Sequence, residues 1–212
     1  MNIRYLGHSC FLITGSFSVV TDPFSDIGYT QETVKADYCL ISHDHFDHNA
    51  AKNVRGAIVV DKNSGVSVAK NIGVEQIFTF HDEFNGSKRG YNIVHKFSFD
   101  NVTFCHMGDI GERYSDETAR RIGGCDVLFI PVGGNYTVDC LTAKRFVDAI
   151  SPKIVVPMHF KTPRSRIDID GVEGFRSLYK SIIEAENDFS FDSAALSDIK
   201  ETVCLSFDTK KF

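Results

Sequence analysis

The chain has 212 residues, a net charge of −5 and an apolar fraction of 42%. That composition excludes a disordered or low-complexity chain and leaves enough apolar mass for a sizeable core. The acidic balance argues against a general nucleic-acid binder, which would present a basic face, and no apolar run reaches the length of a membrane span.

Residues 2–6, 10–14 and 17–21 read as three strands of an antiparallel meander, ended by the turn signal Asp22-Pro23. Residues 24–36 are polar and irregular. Residues 37–42 form a short buried strand, and 49–54 read as a short helix. Strand and helix then alternate: strand 57–60, helix 64–71 and strand 75–80, followed by a charged, glycine-rich loop over 82–90. Residues 92–99 and 102–106 pair as a hairpin across Asp100-Asn101. A helix over 115–122 is capped by Ser115. An all-apolar strand over 126–131, a helix over 142–150, a strand over 153–156, a helix over 171–184 and a strand over 202–207 complete the chain. The pattern predicts two sheets packed together with helices outside, in one domain over 1–212. Phe, at 18 residues against 7 Tyr and no Trp, must supply much of the core volume. The six cysteines form no CxxC pair, and Met1 to Tyr5 reads as strand and not as a leader. Both suit reduced thiols in a cytoplasmic protein.

Chemistry concentrates in Ser42-His43-Asp44-His45-Phe46-Asp47-His48, which holds three of the eight histidines. Histidine and carboxylate are the ligands that borderline divalent metals prefer. His43, His45 and Asp47 alternate, so extended backbone would project them to one side. Asp47 and His48 are adjacent, so a turn into the helix near Asn49 is needed to bring both to a common point, with Asp47 as its cap. His43, His81, Asp109 and His159 each lie just beyond an apolar strand, where sites assemble in α/β sheets.

The run from His43 to His48 resembles the HxHxDH signature of the metallo-β-lactamase fold superfamily. Gly7-His8-Ser9-Cys10, Thr21-Asp22-Pro23-Phe24, His106-Met107-Gly108-Asp109, Pro131-Val132-Gly133-Gly134 and Pro157-Met158-His159-Phe160 resemble successive motifs of its compact branch. That branch includes metal-dependent hydrolases related to ascorbate-6-phosphate lactonase. The resemblance implies a four-layer αβ/βα sandwich with the site at one edge. It also implies two divalent metal ions, zinc first, with manganese or iron compatible. His43, His45 and His81 would hold the first, Asp47, His48 and His159 the second, with Asp109 between them. His106 rivals His81 for its place and is otherwise a neighbour that hydrogen-bonds a ligand. His8 and Asp22 match positions beside the site, and turn-stabilising polar residues are the equal reading. His95 reads as a half-exposed strand histidine.

Two ions, two carboxylates and an activated hydroxide leave the site net positive, which suits a small anionic ester, lactone or phosphodiester. Asp47, Asp109 and Tyr136 are the catalytic candidates, Tyr136 as donor to a developing oxyanion. Lys161 and Arg89 are the candidates to hold the substrate's anionic group. The expectation is a metal-dependent hydrolase. A non-catalytic metal- or ligand-binding protein of the same fold, or a diiron oxidoreductase, is the alternative. A homo-oligomer is compatible with the sequence, although no long apolar stripe marks an interface.

Overall fold

The N-terminal strands follow the period-2 pattern of their sequence. A computed structural model, which describes residues 1–64, 69 and 71–212, pairs β1 (Asn2–Gly7), β2 (Cys10–Thr14) and β3 (Ser18–Thr21) antiparallel. β4 (Val34–Lys35) pairs with β6 (Val54–Arg55) as a small separate ladder. β5 (Tyr38–Leu40) and β7 (Ile58–Val60) extend the meander in parallel. β8 (Gly73–Phe80), β9 (Tyr91–Phe99) and β10 (Val102–His106) form a second antiparallel run. Its tight turn is made by Asp100 and Asn101, both at positive φ (53° and 61°), which matches the twist of a two-residue hairpin.

β11 (Val127–Pro131) has no polar side to give to solvent, and it is buried on both faces. It lies between β10 and β12 (Ile154–Met158), parallel to both. β15 (Val203–Phe207) and β13 (Ile182–Ala185) continue the sheet, giving the order β13-β15-β12-β11-β10-β9-β8. The other sheet runs β14-β1-β2-β3-β5-β7, with β14 (Asp188–Ser190) added to β1.

The two faces of β11 show how the layers stack. Val127 and Phe129 join a core shared by both sheets, where Phe11 and Phe129 meet at 4.5 Å between ring centroids. Phe11, Phe24, Phe97, Phe104 and Phe129 are fully buried there, each contributing about 1.5–3 kcal/mol relative to exposure. Leu128 and Ile130 point the other way, onto α1 (Asp116–Ile122) and α2 (Cys140–Ile150). Ser115 caps α1 by accepting from the Thr118 N–H, and Asp139 caps α2 by accepting from Thr142 N–H at 2.7 Å.

Three expectations need correction. Residues 49–54 hold one 3-10 turn, Ala51–Asn53, with no side-chain cap from Asp47, because Val54 and Arg55 are drawn into the ladder with β4. Residues 171–184 give only the short α3 (Glu173–Arg176). The β-branched pair Ile182-Ile183 then joins β15, where it pairs with Cys204 and Leu205. His95 is fully buried and donates from Nε2 to the Ile41 carbonyl at 2.9 Å. Most of the predicted helix over 64–71, residues 65–68 and 70, lies outside the described residues. Among the described residues no helix is long and apolar enough to cross a membrane.

Candidate metal centre

Strand ends converge on one edge of the sandwich. The β1–β2 turn supplies His8, the loop after β5 supplies the residues from Ser42 to His48, and His81, Asp109 and His159 follow β8, β10 and β12. His8, Ser42, His43, His48, His81, Asp109 and His159 are buried, His45 and Asp47 are half-buried, and Asp44 and Phe46 are exposed. The stretch from His43 to His48 is a turn and not extended backbone: the N–H groups of His48 and Asn49 both donate to the His45 carbonyl. That turn divides the motif. His43 and His45 face His81, and Asp47 and His48 face His8 and His159.

Two ligand-type clusters result, joined by a third overlapping set of Asp22, His43 and His48. Ring nitrogens of His43, His45 and His81 lie within 4.8 Å of one another, with His43 Nε2 and His45 Nδ1 at 3.0 Å. Donor atoms of His8, Asp47, His48 and His159 do the same. Asp109 stands between the clusters. Its Oδ2 is 3.1 Å from both His48 Nε2 and His159 Nε2, 3.4 Å from His81 Nε2 and 3.8 Å from His43 Nε2. Each set offers the imidazole and carboxylate donors that a divalent cation takes. A further observation fits a cation here. His8 Nε2, His48 Nε2 and Asp109 Oδ1 are buried without a hydrogen-bond partner of acceptable geometry. Buried polar atoms are rarely left so.

The electrostatics reflect crowding of opposite charges. Burial alone would raise Asp109, yet the imidazoles of His159 and His48 hold it well below the usual carboxylate range. Burial disfavours a charged His48, but Asp109 and Asp47 hold it well above the usual range. His43 is pushed well down by burial and by His48. Burial and then His159 push His8 down to about 4.

Hydrogen bonds fix the ligand-type side chains from behind. Asp22, fully buried, accepts from Ser42 N–H (2.8 Å), Ser42 Oγ–H (2.6 Å) and His48 Nδ1–H (2.9 Å). Ser42 Oγ in turn lies 2.8 Å from His43 Nδ1, so one carboxylate orients an imidazole of each cluster. Asn92 Oδ1 accepts from Asp109 N–H at 2.8 Å, while its Nδ2 donates to Thr79 Oγ1 and the Met107 carbonyl. Gly108 has φ +55°, and a Cβ there would stand 2.2 Å from Asn92 Oδ1, so the Gly-Asp pair is needed to seat Asp109. Ser42 and Asn92 escape the sequence reading. The signal for Asn92 is an amide in a strand otherwise destined for burial.

Other predicted residues fall in different places. His106 stays out of both clusters: Nδ1 accepts from Gly108 N–H, and Nε2 donates to the Ser9 carbonyl at 2.9 Å. It supports the β1–β2 turn and contacts none of the seven predicted ligands by hydrogen bond. Lys161 turns away from the centre, its ammonium donating to the carbonyls of Ser165 and Ile167 at 2.8 Å each. Arg89 and Tyr136 do line the 590 Å³ cavity over Asp109, with the guanidinium 4.9 Å from the Tyr136 ring centroid. Asp82 positions the Arg89 loop by accepting from the N–H groups of Phe84, Gly86, Lys88 and Arg89. Ile27, Phe46 and Ile167 give the cavity an apolar wall, and Arg166, paired with Asp26 at 3.0 Å, borders it.

Comparison with known proteins agrees with this geometry. A family model described as a beta-lactamase superfamily domain matches residues 2–159. A UPF0173 metal-dependent hydrolase of Pelotomaculum thermopropionicum is 30% identical over 221 residues, spanning 87% of this chain and 92% of that protein. A UPF0173 metal-dependent hydrolase of Archaeoglobus fulgidus is 28% identical over 195 residues, spanning 76% and 84%. A solved structure from Thermotoga maritima, described as a candidate Zn-dependent hydrolase of the metallo-β-lactamase superfamily, superposes with a TM-score of 0.74 at 28% identity. It covers 98% of this chain and 99% of its own. The chain therefore belongs to the beta-lactamase superfamily domain family and is a metal-dependent hydrolase with the metallo-β-lactamase fold.

Proposed function

We propose that the centre holds two divalent ions and hydrolyses a small anionic ester, lactone or phosphodiester. The observation that carries this reading is the position of Asp109 Oδ2, within 4 Å of imidazoles from both clusters. His43, His45 and His81 would hold one ion, Asp47, His48 and His159 the other, and Asp109 both. Zinc is the first choice, and manganese or iron also suits the donors. When bound, two such ions supply Lewis acidity and acidify a water.

The protein's own groups do the rest. Asp22 and Ser42 lock the His48 and His43 tautomers so that Nε2 of each faces Asp109. Arg89, stacked on Tyr136, offers its guanidinium to the anionic group at the cavity wall. Tyr136 donates to the oxygen on which charge develops. Ile27, Phe46 and Ile167 exclude water beside the reacting group. The six free thiols suit a reducing, cytoplasmic setting.

The test is metal content together with turnover of a panel of phosphodiesters and lactones. Two ions per chain and hydrolysis abolished by Asp109→Ala are the expected results. Fewer than one ion per chain after full repletion refutes the reading.

A further inference from the structure

The second cluster contains one more donor than the proposed function uses. His8 is 1% exposed, and its ring lies 4.4 Å from that of His159 and 5.1 Å from that of His48, centroid to centroid. Its Nε2 is 3.4 Å from Asp47 Oδ2 and has no hydrogen-bond partner. The backbone that presents it is held in the left-handed region, φ +54°. A histidine there is uncommon and costs of order 1–3 kcal/mol unless the surroundings enforce it. They do so: the His8 carbonyl accepts from His159 N–H and from the Tyr5 hydroxyl. A turn whose purpose was only to reverse the chain would take glycine or asparagine at that φ and leave no imidazole aimed inward.

We propose that His8 Nε2 is a direct ligand of the second ion, an eighth protein donor to the centre. This rests on the two-ion reading above. With His8, Asp47, His48, His159 and Asp109, the second position has three imidazoles and two carboxylates. That set exceeds the four donors typical of zinc and fits a six-coordinate ion such as Mn²⁺ or Fe²⁺. The first position, built on His43, His45 and His81, keeps a smaller set that suits zinc. The two positions therefore differ in metal preference, and His8 is the residue that sets the difference.

The test counts metal on the whole protein, independent of turnover. Apoprotein is prepared with a chelator and titrated with Mn²⁺ alone, and separately with Co²⁺. Wild type is compared with H8N, whose residue tolerates φ +54° but falls short of the cluster, and with H45A as the first-site control. Wild type is expected to take two equivalents. H8N is expected to bind the second Mn²⁺ at least about tenfold more weakly while the first is unchanged. Its second Co²⁺ should absorb more strongly in the visible as the coordination number falls. H45A should weaken the first equivalent instead. Wild-type affinity and an unchanged Co²⁺ spectrum in H8N would overturn the inference while leaving the two-ion reading intact. Fewer than two equivalents on wild type would remove both. Thermal unfolding in chelator reports whether H8N is folded, and H8G, with no backbone strain at this φ, is the second variant if it is not.

Discussion

Replacing Asp22 by asparagine changes one atom type at the most connected point behind the centre. The carboxylate can only accept, and it takes three donors: Ser42 N–H, Ser42 Oγ–H and His48 Nδ1–H. In D22N one oxygen still accepts, but the amide nitrogen confronts a donor. Neutral His48, the form that can bind a cation, relieves the conflict by carrying its one ring proton on Nε2 instead of Nδ1. Nε2 is the atom that faces Asp109 at 3.1 Å, and a protonated ring nitrogen cannot bind a cation. Loss of such a support costs about 10–100-fold in metal affinity. Breaking one partner of a buried charged network costs about 3–5 kcal/mol of stability.

The pH dependence separates this from a general packing defect. Burial would raise Asp22, but His106 and His48 hold it below the usual carboxylate range. A carboxylate depressed in the folded state contributes stability that is complete above its unfolded value, about 3.9. That contribution is lost as pH falls through the lower folded value. The gap between wild type and D22N should therefore be flat from neutral pH down to about 4 and shrink below it. The assay is thermal unfolding in chelator across that range, with calorimetric metal titration at neutral pH. Wild-type metal affinity in D22N would refute the tautomer argument, and a stability gap that widens in acid would refute the charge argument.

Other outcomes test neighbouring parts of the site. H81A should lose metal from the first cluster, whereas H106A, which strands the Ser9 carbonyl and the Gly108 N–H, should lose about 1–3 kcal/mol of stability and keep its metal count; a lost ion in H106A would return it to the ligand set. K161A should leave KM for an anionic substrate unchanged, while R89A should raise it by about tenfold, consistent with loss of a charged hydrogen bond; equal effects in steady-state kinetics would contradict the cavity assignment. Because Asp109 and Asp47 outweigh burial and keep His48 protonated in the metal-free protein, metal uptake at neutral pH must expel its proton. Affinity should therefore rise with pH, and a calorimetric titration in two buffers of different ionisation enthalpy that found no proton release would exclude this. G108A should displace Asp109 and weaken binding at both positions, read from the same titration.

Much of this was legible in the letters because the signals are local. Alternation reveals the meander, and an unbroken apolar run reveals β11. Ser115 shows where α1 begins. The dense run from His43 to His48 carries a signature specific enough to imply the fold and a ligand set. The errors arise where tertiary pairing overrides local preference. Ile182 and Ile183 are ambiguous between a helix face and an edge strand until Cys204 and Leu205 arrive from 22 positions on. Val54 leaves its helix only because Val34 offers a partner. Lys161 is a cation two residues from His159, and sequence distance cannot show that the carbonyls of Ser165 and Ile167 fold back to take its ammonium.

The least legible feature is backbone conformation, and it bears most directly on the site. His8, Asp22 and His159 all sit at positive φ (54°, 36° and 50°). Only Asp22 is marked in the letters, by the turn signal Asp22-Pro23; His8 and His159 are neither glycine nor usual occupants of turns. Each is forced there by bonds to distant strands. The His8 carbonyl receives His159 N–H, and Asp22 N–H reaches the Leu40 carbonyl. Strain of this kind persists only where the surroundings over-determine it, and it clusters where side chains must be aimed and not merely packed. Two of the three are imidazoles in the second cluster, and the third is the carboxylate that orients His48. The cost of holding them is thus spread over both sheets, so the centre is a property of the folded sandwich and not of the motif that first reveals it.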